Sequence, residues 1–390
     1  MSILSVVAIT AEGDFLALRD AWNALLENAR APSVFLYHEW FEAAWAWRKQ
    51  DSTLFVLCAY EDRRLVGVLP LVFVRDKKKL YKERRLEFLS VPDTQFCDVV
   101  AADIDRARVA QAFAGEMERR RSQWDRLHFG YLPDASIVGR ELCREFELRG
   151  FRSRFDDMGR NPSIALNGTW PDYYSSRSRR LKKANNLIAN RMKKAGEVRV
   201  DWFEPGNADA RGTNAALDIA IGISGRSWKR ETGNSLDNPG PLAFIRMLST
   251  HANRRGWLSL WILSLDGEPM AMEYQLVFNG YVHALRADVV DGCVELSPGS
   301  YLSRHLLEKL FDRGLVKYCM GPGGNAYKSH WTSEGEGLRR MVVYGRTFRG
   351  TFARLWDVAF RPRLRAVREK WLSLRRVPAA DQKSPPEDGD

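Results

Sequence analysis

The chain has 390 residues, of which 45% are hydrophobic, and its formal net charge is +11. This length and composition predict a globular protein with two domains, or one two-lobed body, rather than a disordered or fibrous chain. No segment has the roughly 18 consecutive apolar residues of a membrane-spanning helix, and the first five residues lack a secretory signal, so we expect a cytoplasmic protein.

The first half of the chain predicts helices, then a hairpin, then strands that alternate with helices. The helices are expected at 15–27, 38–47, 105–123 and 137–149, the hairpin strands at 53–60 and 65–74, and further extended segments near Leu89, at 96–101 and at 126–129. The five cysteines lie in both halves without a C-x-x-C pair, so we expect reduced core thiols and no metal.

A strongly basic helix is predicted between the two halves, at 173–195. Pro171 suits its first turn, and its apolar residues recur at helical spacing. Its basic residues are Arg177, Arg179, Arg180, Lys182, Lys183, Arg191, Lys193 and Lys194. This face is either a solvated surface or a contact for an acidic polymer, a nucleic acid or an anionic membrane.

The second half repeats the element order of the first. Its helices are predicted at 208–224, 241–253 and 301–312, and its strands at 257–265, 270–278, 281–290, 316–320 and 339–344. The last helix follows a turn with the sequence Ser297-Pro298-Gly299-Ser300-Tyr301. Backbone N–H groups at such a helix start suit a phosphate, so we expect Ser297, Gly299, Ser300 and Tyr301 to bind an anionic cofactor.

A basic amphipathic tail follows at 347–376, and residues 377–390 have a disordered composition. The pattern as a whole predicts an α+β fold in three layers. We expect two tandem lobes at 1–165 and 201–346, each a mixed, mostly antiparallel sheet flanked by helices, joined by the basic segment 166–200. The tail offers a peripheral contact with the inner face of an anionic membrane or with a synthesis complex.

The element order resembles the GNAT acyltransferase superfamily, and its duplication resembles the FemX-like peptidoglycan aminoacyl transferases. Four landmarks narrow the resemblance to the CelD family of acetyltransferases associated with cellulose and exopolysaccharide production. They are Ser227-Trp228-Lys229, Asp266-Gly267 before Met270-Ala271, Asp288 ahead of Ser297-Pro298-Gly299, and Tyr327-Lys328 before Trp331. The family often has acids where this chain has Gln95 and Cys319.

The resemblance implies transfer of an acetyl or other short acyl group from acyl-CoA to an amine or hydroxyl, on a saccharide or envelope precursor. Direct attack on the thioester is expected, because no cysteine has the neighbours of an activated nucleophile. We expect Asp288, Tyr327 and Lys328 to be catalytic, with Asp288 as the base. The expected substrate-binding residues are Trp228, Lys229, Glu273, Arg286, Asp98 and Trp331.

Individual residues allow more than one interpretation. Arg286 is expected either to pair with Asp288 or to bind an acidic acceptor, and Glu273 to be either solvated or a buried acid with a shifted pKa. Two functional alternatives also stay open. One is aminoacyl transfer from charged tRNA, favoured by the basic helix, and the other is a non-catalytic scaffold of a polysaccharide-synthesis system, which the absent acids at Gln95 and Cys319 permit.

Overall fold

The computed structural model describes residues 4–27, 29, 33–75, 83–204, 206, 210–293, 295–324 and 326–360. The predicted tail 377–390 and the part of the basic tail from residue 361 onward lie outside the described residues.

The helices begin close to where the apolar spacing places them. They are α1 (Glu12–Ala17), α2 (Arg19–Glu27), α3 (His38–Arg48), α4 (Arg106–Arg119), α5 (Cys143–Leu148), α6 (Trp170–Ser175), α7 (Arg179–Ala195), α8 (Ala210–Gly225), α9 (Pro239–Arg254), α10 (Pro298–Phe311), α11 (Ala326–Trp331) and α12 (Phe348–Leu355). The predicted basic helix is divided into α6 and α7, because the hydroxyl of Ser178 caps a new start by accepting from the Leu181 N–H. None of the described helices is long and apolar enough to cross a bilayer.

The strands form one continuous sheet. They are β1 (Ser5–Ile9), β2 (Ser52–Glu61), β3 (Arg64–Val74), β4 (Arg85–Phe88), β5 (Val100–Ala101), β6 (Arg126–Pro133), β7 (Arg152–Ala165), β8 (Val198–Phe203), β9 (Leu258–Leu265), β10 (Glu268–Phe278), β11 (Tyr281–Val289), β12 (Lys317–Cys319) and β13 (Gly335–Tyr344).

The order of the strands shows an internal symmetry. It runs β1-β2-β3-β4-β6-β13-β7-β12-β11-β10-β9-β8, with β5 beside β3. On each side of the central strands β13 and β7, four antiparallel strands are followed by one parallel strand, so that β4 pairs with β6 as β11 pairs with β12. The α+β class and the repeated mixed sheet are therefore confirmed.

The centre of the sheet differs from the simple picture of two separate lobes. β13, which is the last strand of the second half, lies between β6 and β7 of the first half. β7 in turn pairs with β12 through its last three residues, from Ser163 to Ala165. The two halves therefore exchange strands at the middle of the sheet, which joins them into one body.

Three strands were not predicted, namely β1, β7 and β8. β7 has 14 residues and reads Arg-Ser-Arg-Phe-Asp-Asp-Met-Gly-Arg-Asn-Pro-Ser-Ile-Ala, which lacks the apolar alternation of a half-buried strand. Its place is set instead by backbone pairing on both sides. Sequence periodicity reports burial of side chains, and strands held mainly by their neighbours' backbone give little such signal.

Helices cover both faces of the sheet. One face packs a single core shared by both halves, with residues from α1, α2, α3, α8 and α9. The opposite face packs two cores, one against α4 and α5 in the first half and one against α6, α7 and α10 in the second. The two halves therefore share one hydrophobic core on the first of these faces.

Charged pairs also join the halves where α3 packs on α9. Glu39 accepts from Arg255 at 2.6 Å, and Glu42 contacts both Arg19 and His251. Burial by itself would raise the pKa of Glu42, but the hydrogen bonds and charges of His251 and Arg19 lower that pKa to about 2. Glu42 is thus held as a carboxylate between the two helices.

Glycine makes the close approach of α3 and α9 possible. A Cβ on Gly240 would overlap the ring of Trp47, whereas a Cβ on Gly222, which is exposed in the last turn of α8, would meet nothing. We expect Gly240→Ala to destabilise the protein by about 1–3 kcal/mol through overpacking. The matched variant Gly222→Ala should stabilise it by about 0.5–1 kcal/mol.

Urea unfolding of both variants checks this prediction. A Gly240→Ala protein as stable as the wild type would mean that α3 and α9 have room for a side chain between them.

Candidate functional site

The candidate site lies where β11 separates from β12. The two parallel strands pair only from Tyr281 to His283, and β11 then carries a bulge at Leu285 opposite β10. Bulges of this kind redirect a strand and are frequent beside active sites. Beyond His283, the edge of β11 that faced β12 is therefore open to groups other than a neighbouring strand.

A loop from the first half closes one end of this gap. The Gln95 amide donates to the carbonyl of Ala284 at 2.8 Å, and its oxygen accepts from Asn161 of β7 at 3.1 Å. The ring of His283 lies 3.3 Å from the same oxygen. Burial lowers the pKa of His283 to about 4, which keeps the ring neutral near pH 7. Gln95 thus connects β11, β7 and its own loop.

Arg286 forms a buried ion pair with the same loop. Its guanidinium binds both oxygens of Asp93 at 2.7 Å, and it donates to the backbone carbonyl of Asn234 at 2.7 Å. Arg286 is only 2% exposed. The expected pairing of Arg286 with Asp288 is therefore wrong, because the bidentate partner comes from the other half of the chain.

Asp288 pairs instead with Lys229. Its carboxylate also accepts from the Ser224 hydroxyl at 2.6 Å, and the Lys229 ammonium donates to the carbonyl of Ala287 at 3.2 Å. Ser224 in turn accepts from the Leu236 N–H at 2.9 Å, which fixes the loop that follows Trp228. Asp288 is 2% exposed, whereas the Lys229 side chain remains 17% exposed, so the lysine marks the solvent side of this pair.

Glu273 belongs to the opposite face of the sheet. Arg286 and Asp288 lie beside Tyr274 and Met272, whereas Glu273 lies beside Ala287, and successive residues of a strand alternate between faces. Glu273 accepts from Tyr318 at 2.6 Å and from Gln275 at 2.8 Å. Burial raises the pKa of Glu273. Of the two expected alternatives, a solvated residue and a buried acid with a shifted pKa, Glu273 is therefore the buried acid.

Lys328 holds the loop that closes the gap after β12. Its ammonium donates to the carbonyls of Gly321 at 2.8 Å and Gly323 at 3.2 Å. Burial lowers the pKa of Lys328, with the charge of Glu273 opposing that shift. Tyr327 lies beside it with a phenol whose pKa burial raises to about 12, so it stays protonated.

The start of α10 has the features expected of a phosphate site. Ser297 is left-handed with φ 51°, its side chain makes no cap, and Pro298 occupies the first turn. A Cβ on Gly299 would come within 2.8 Å of Val289, so glycine is needed for this helix start to approach β11. Ser300 and Tyr301 are half-buried beside it. The start of α10 therefore lies against the end of β11.

Two other expected residues, Asp98 and Trp331, have surroundings that explain them differently. Asp98 accepts from the backbone N–H groups of Ile137 at 2.7 Å, Val138 at 3.0 Å and Val99 at 2.9 Å, so its carboxylate holds a helix start instead of a substrate. Trp331 is 1% exposed inside the second-half core, which corrects its expected place in a cleft. Trp228 is 62% exposed at the rim.

Several residues at the site were not predicted. They are Asp93, Asn234, Ser224, Tyr318 and Asn161. No motif marks them, because each is recruited by a partner distant in sequence. Among the described residues, no group of three His, Cys, Asp or Glu is arranged to hold a metal ion.

A cavity of 510 Å³ opens beside the Asp93 loop. It is lined by Trp47, Arg48, Asp51, Tyr131 and Pro92, among others, and the Arg286 guanidinium lies 6.0 Å from the Trp47 ring. A second cavity of 670 Å³ shares Arg85 and Glu87 with it. The face of the sheet that carries Arg286 therefore has space for a molecule in the first half of the chain.

Removing one partner of the Asp93–Arg286 pair should destabilise the protein far more than replacing both partners. We expect Arg286→Met to cost about 3–5 kcal/mol, because the Asp93 carboxylate would remain buried without its partner. The double variant Asp93→Leu with Arg286→Met should recover most of that loss. Chemical denaturation of the three proteins measures both effects, and a loss below about 1 kcal/mol for Arg286→Met would show that Asp93 reaches solvent.

Comparisons with known proteins agree with this geometry. Residues 175–329 match the family model described as acetyltransferase (GNAT) domain. This segment includes β11, the gap and the start of α10. No curated protein matched the chain significantly.

Solved structures share the fold over nearly the whole chain. FemX superimposes with a TM-score of 0.55 at 10% identity, covering 91% of this chain and 99% of its own. The C-terminal domain of a putative lysylphosphatidylglycerol synthetase from Agrobacterium fabrum gives 0.53 at 11% identity, with 88% and 97% covered. A tandem GNAT protein from the clavulanic acid biosynthesis pathway gives 0.50 at 13% identity, with 88% and 99% covered.

At these identities the structures establish the fold alone, and the family match supplies the chemistry. The chain contains a GNAT acetyltransferase domain within a tandem GNAT fold, and the protein is an acyltransferase enzyme.

Proposed function

We propose that the protein transfers an acetyl or other short acyl group from acyl-CoA to an amine or hydroxyl of a saccharide or cell-envelope precursor. The observation that carries this proposal is the open edge of β11 next to the uncapped start of α10. An exposed strand edge pairs with an extended chain of amides, and a helix start binds phosphate. Acyl-CoA has both features, because its extended arm contains amides and is attached to a pyrophosphate.

The residues present fit such a donor. Ser297, Gly299, Ser300 and Tyr301 would surround the pyrophosphate at the positive end of the α10 dipole. The Ser300 and Tyr301 N–H groups already donate to the Ser297 carbonyl at 3.0 and 3.2 Å, so the Gly299 N–H would be the backbone donor. When bound, the donor supplies an activated acyl group as a thioester. Gln95 and Lys328 fix the strands and the loop on either side of the gap.

The acceptor is proposed to occupy the face that carries Arg286 and Asp288. The 510 Å³ cavity beside the Asp93 loop has a wall of Trp47 and Tyr131 with charged residues around it. Aromatic rings combined with a few fixed polar groups are suited to sugar rings. This supports the saccharide acceptor suggested by the CelD-like landmarks, with Lys229 and Trp228 at the solvent side.

Donor binding can be tested with a substitution that adds a negative charge at the start of α10, where such a charge also stabilises the helix. We expect Ser300→Glu to weaken acetyl-CoA binding about tenfold or more, because the new carboxylate repels the pyrophosphate. The same charge at a helix start should leave the free energy of unfolding unchanged or raise it by about 0.3–1 kcal/mol. Isothermal titration calorimetry and thermal unfolding measure the two quantities.

Ser300→Gln is the matched control, and it should bind acetyl-CoA nearly as well as the wild type. Equal affinity of the Glu and Gln variants would remove the phosphate site at α10. If acetyl-CoA does not bind the wild type while a charged tRNA does, with an affinity that falls steeply with salt, the donor is the tRNA. The exposed basic face of α7 would then be its contact.

Asp288 is proposed as the base that receives the acceptor proton, with Tyr327 and Lys328 as the other catalytic candidates. Asp288→Asn should lower kcat about 10²–10⁴-fold, since the amide cannot receive the proton, and leave the Kd of acetyl-CoA unchanged, since the proposed donor site at α10 lies on the other face of β11. Mass spectrometry of CoA formed from acetyl-CoA with glucosamine as the probe acceptor measures kcat. Ser224→Ala, which removes one hydrogen bond to Asp288, should lower kcat far less. Full activity of Asp288→Asn would assign proton transfer to another group.

A further inference from the structure

The helix after the last strand presents its large apolar residues to the outside. In α12 and the π-helical turn that continues it, Trp356–Phe360, five large apolar residues recur at spacings of three and four. They are Phe348, Phe352, Leu355, Trp356 and Phe360, with exposures of 89%, 49%, 47%, 46% and 51%. We call this stripe the outer face. An exposed apolar patch of this kind commonly marks an interaction site.

The inner face of the same helix explains why the outer face cannot turn inward. Gly350 and Ala353 are buried, and a Cβ on Gly350 would overlap the carbonyls of Gly345 and Asp125. Asp357 is 5% exposed, pairs with Arg126 and accepts from the Tyr344 hydroxyl at 3.2 Å. The helix is thus anchored through its small residues and one buried acid.

The beginning of the helix is fixed as well. The Thr347 hydroxyl accepts from the Gly350 N–H at 2.9 Å and donates to Asp125 at 2.9 Å. Arg154 donates to the backbone carbonyl of Asp357 at 3.1 Å. Rotating the helix to bury its aromatic residues would break all of these bonds, so the outward orientation belongs to the folded state.

The charges around the outer face indicate what covers it. Arg346 and Arg349 are exposed beside Phe348, Arg354 is half-buried, and the acid of this segment, Asp357, is turned inward. The sequence 361–376, outside the described residues, adds seven basic residues and one acid, Glu369. The basic residues are Arg361, Arg363, Arg365, Arg368, Lys370, Arg375 and Arg376.

We propose that the outer face docks on an anionic membrane surface. Aromatic side chains enter the boundary between headgroups and acyl chains, while neighbouring arginines bind the phosphates. A protein partner would need a complementary shape, whereas a bilayer needs only an apolar stripe bordered by basic residues. The proposal does not depend on acyl transfer, since it concerns where the protein is held.

The test is flotation of the full chain with two kinds of vesicle, one of phosphatidylcholine alone and one mixed with phosphatidylglycerol. The wild type should bind the mixed vesicles, and less at high salt. The variant Phe348→Ser with Phe352→Ser and Trp356→Ser should bind them about tenfold or more weakly, because it loses three inserted side chains. Its thermal unfolding should remain a single cooperative transition close to that of the wild type, which shows that it is folded.

Ile104→Ser with Leu148→Ser is the matched control, because these residues are 90% and 70% exposed away from the outer face. It should bind the mixed vesicles as the wild type does. Equal vesicle binding by the triple variant would overturn the proposal, as would equal binding of the wild type to phosphatidylcholine alone. Self-association without vesicle binding, abolished in the triple variant, would show instead that the outer face joins two copies.

Discussion

The pairing of β7 with β13 at the centre of the sheet is the constraint on which the rest of the structure depends. Pairs from Arg152 to Pro162 on one strand meet Gly335 to Tyr344 on the other. Because each strand is also paired outward, with β12 and β6 respectively, neither half can complete its sheet without the other. The relative placement of the halves is thereby fixed by backbone hydrogen bonds, which hardly depend on the side chains of β7.

This placement brings charged groups of one half against the other in a buried region. Asp93 and Arg286 lose their hydration when the halves meet, and their bidentate contact at 2.7 Å with the added bond to Asn234 offsets that cost. Such pairs contribute little net stability, but they penalise any arrangement that leaves one partner alone. The Asp93 loop consequently has one position, with Gln95 held against Ala284 at the end of the gap.

The site uses the two faces of β11 for different purposes. The start of α10 approaches one face through Gly299, where Glu273, Tyr318 and Lys328 are packed. Arg286, Asp288 and Lys229 occupy the other face, next to the cavity beside Trp47. The short pairing of β11 with β12 is the opening between them. The start of α10 and the Asp288–Lys229 pair thus lie on opposite faces of one strand.

The sequence by itself determined the local elements and the α10 turn, because apolar spacing and the run from Ser297 to Gly299 act over a few residues. It also singled out Asp288 and Arg286 near the end of a predicted strand and Glu273 in apolar surroundings. Only the tertiary structure decided their partners: Arg286 with Asp93, Asp288 with Lys229, and Glu273 with Tyr318. The polar strand β7 and the position of β13 were likewise settled only there, because long-range backbone pairing leaves no periodic trace in the chain.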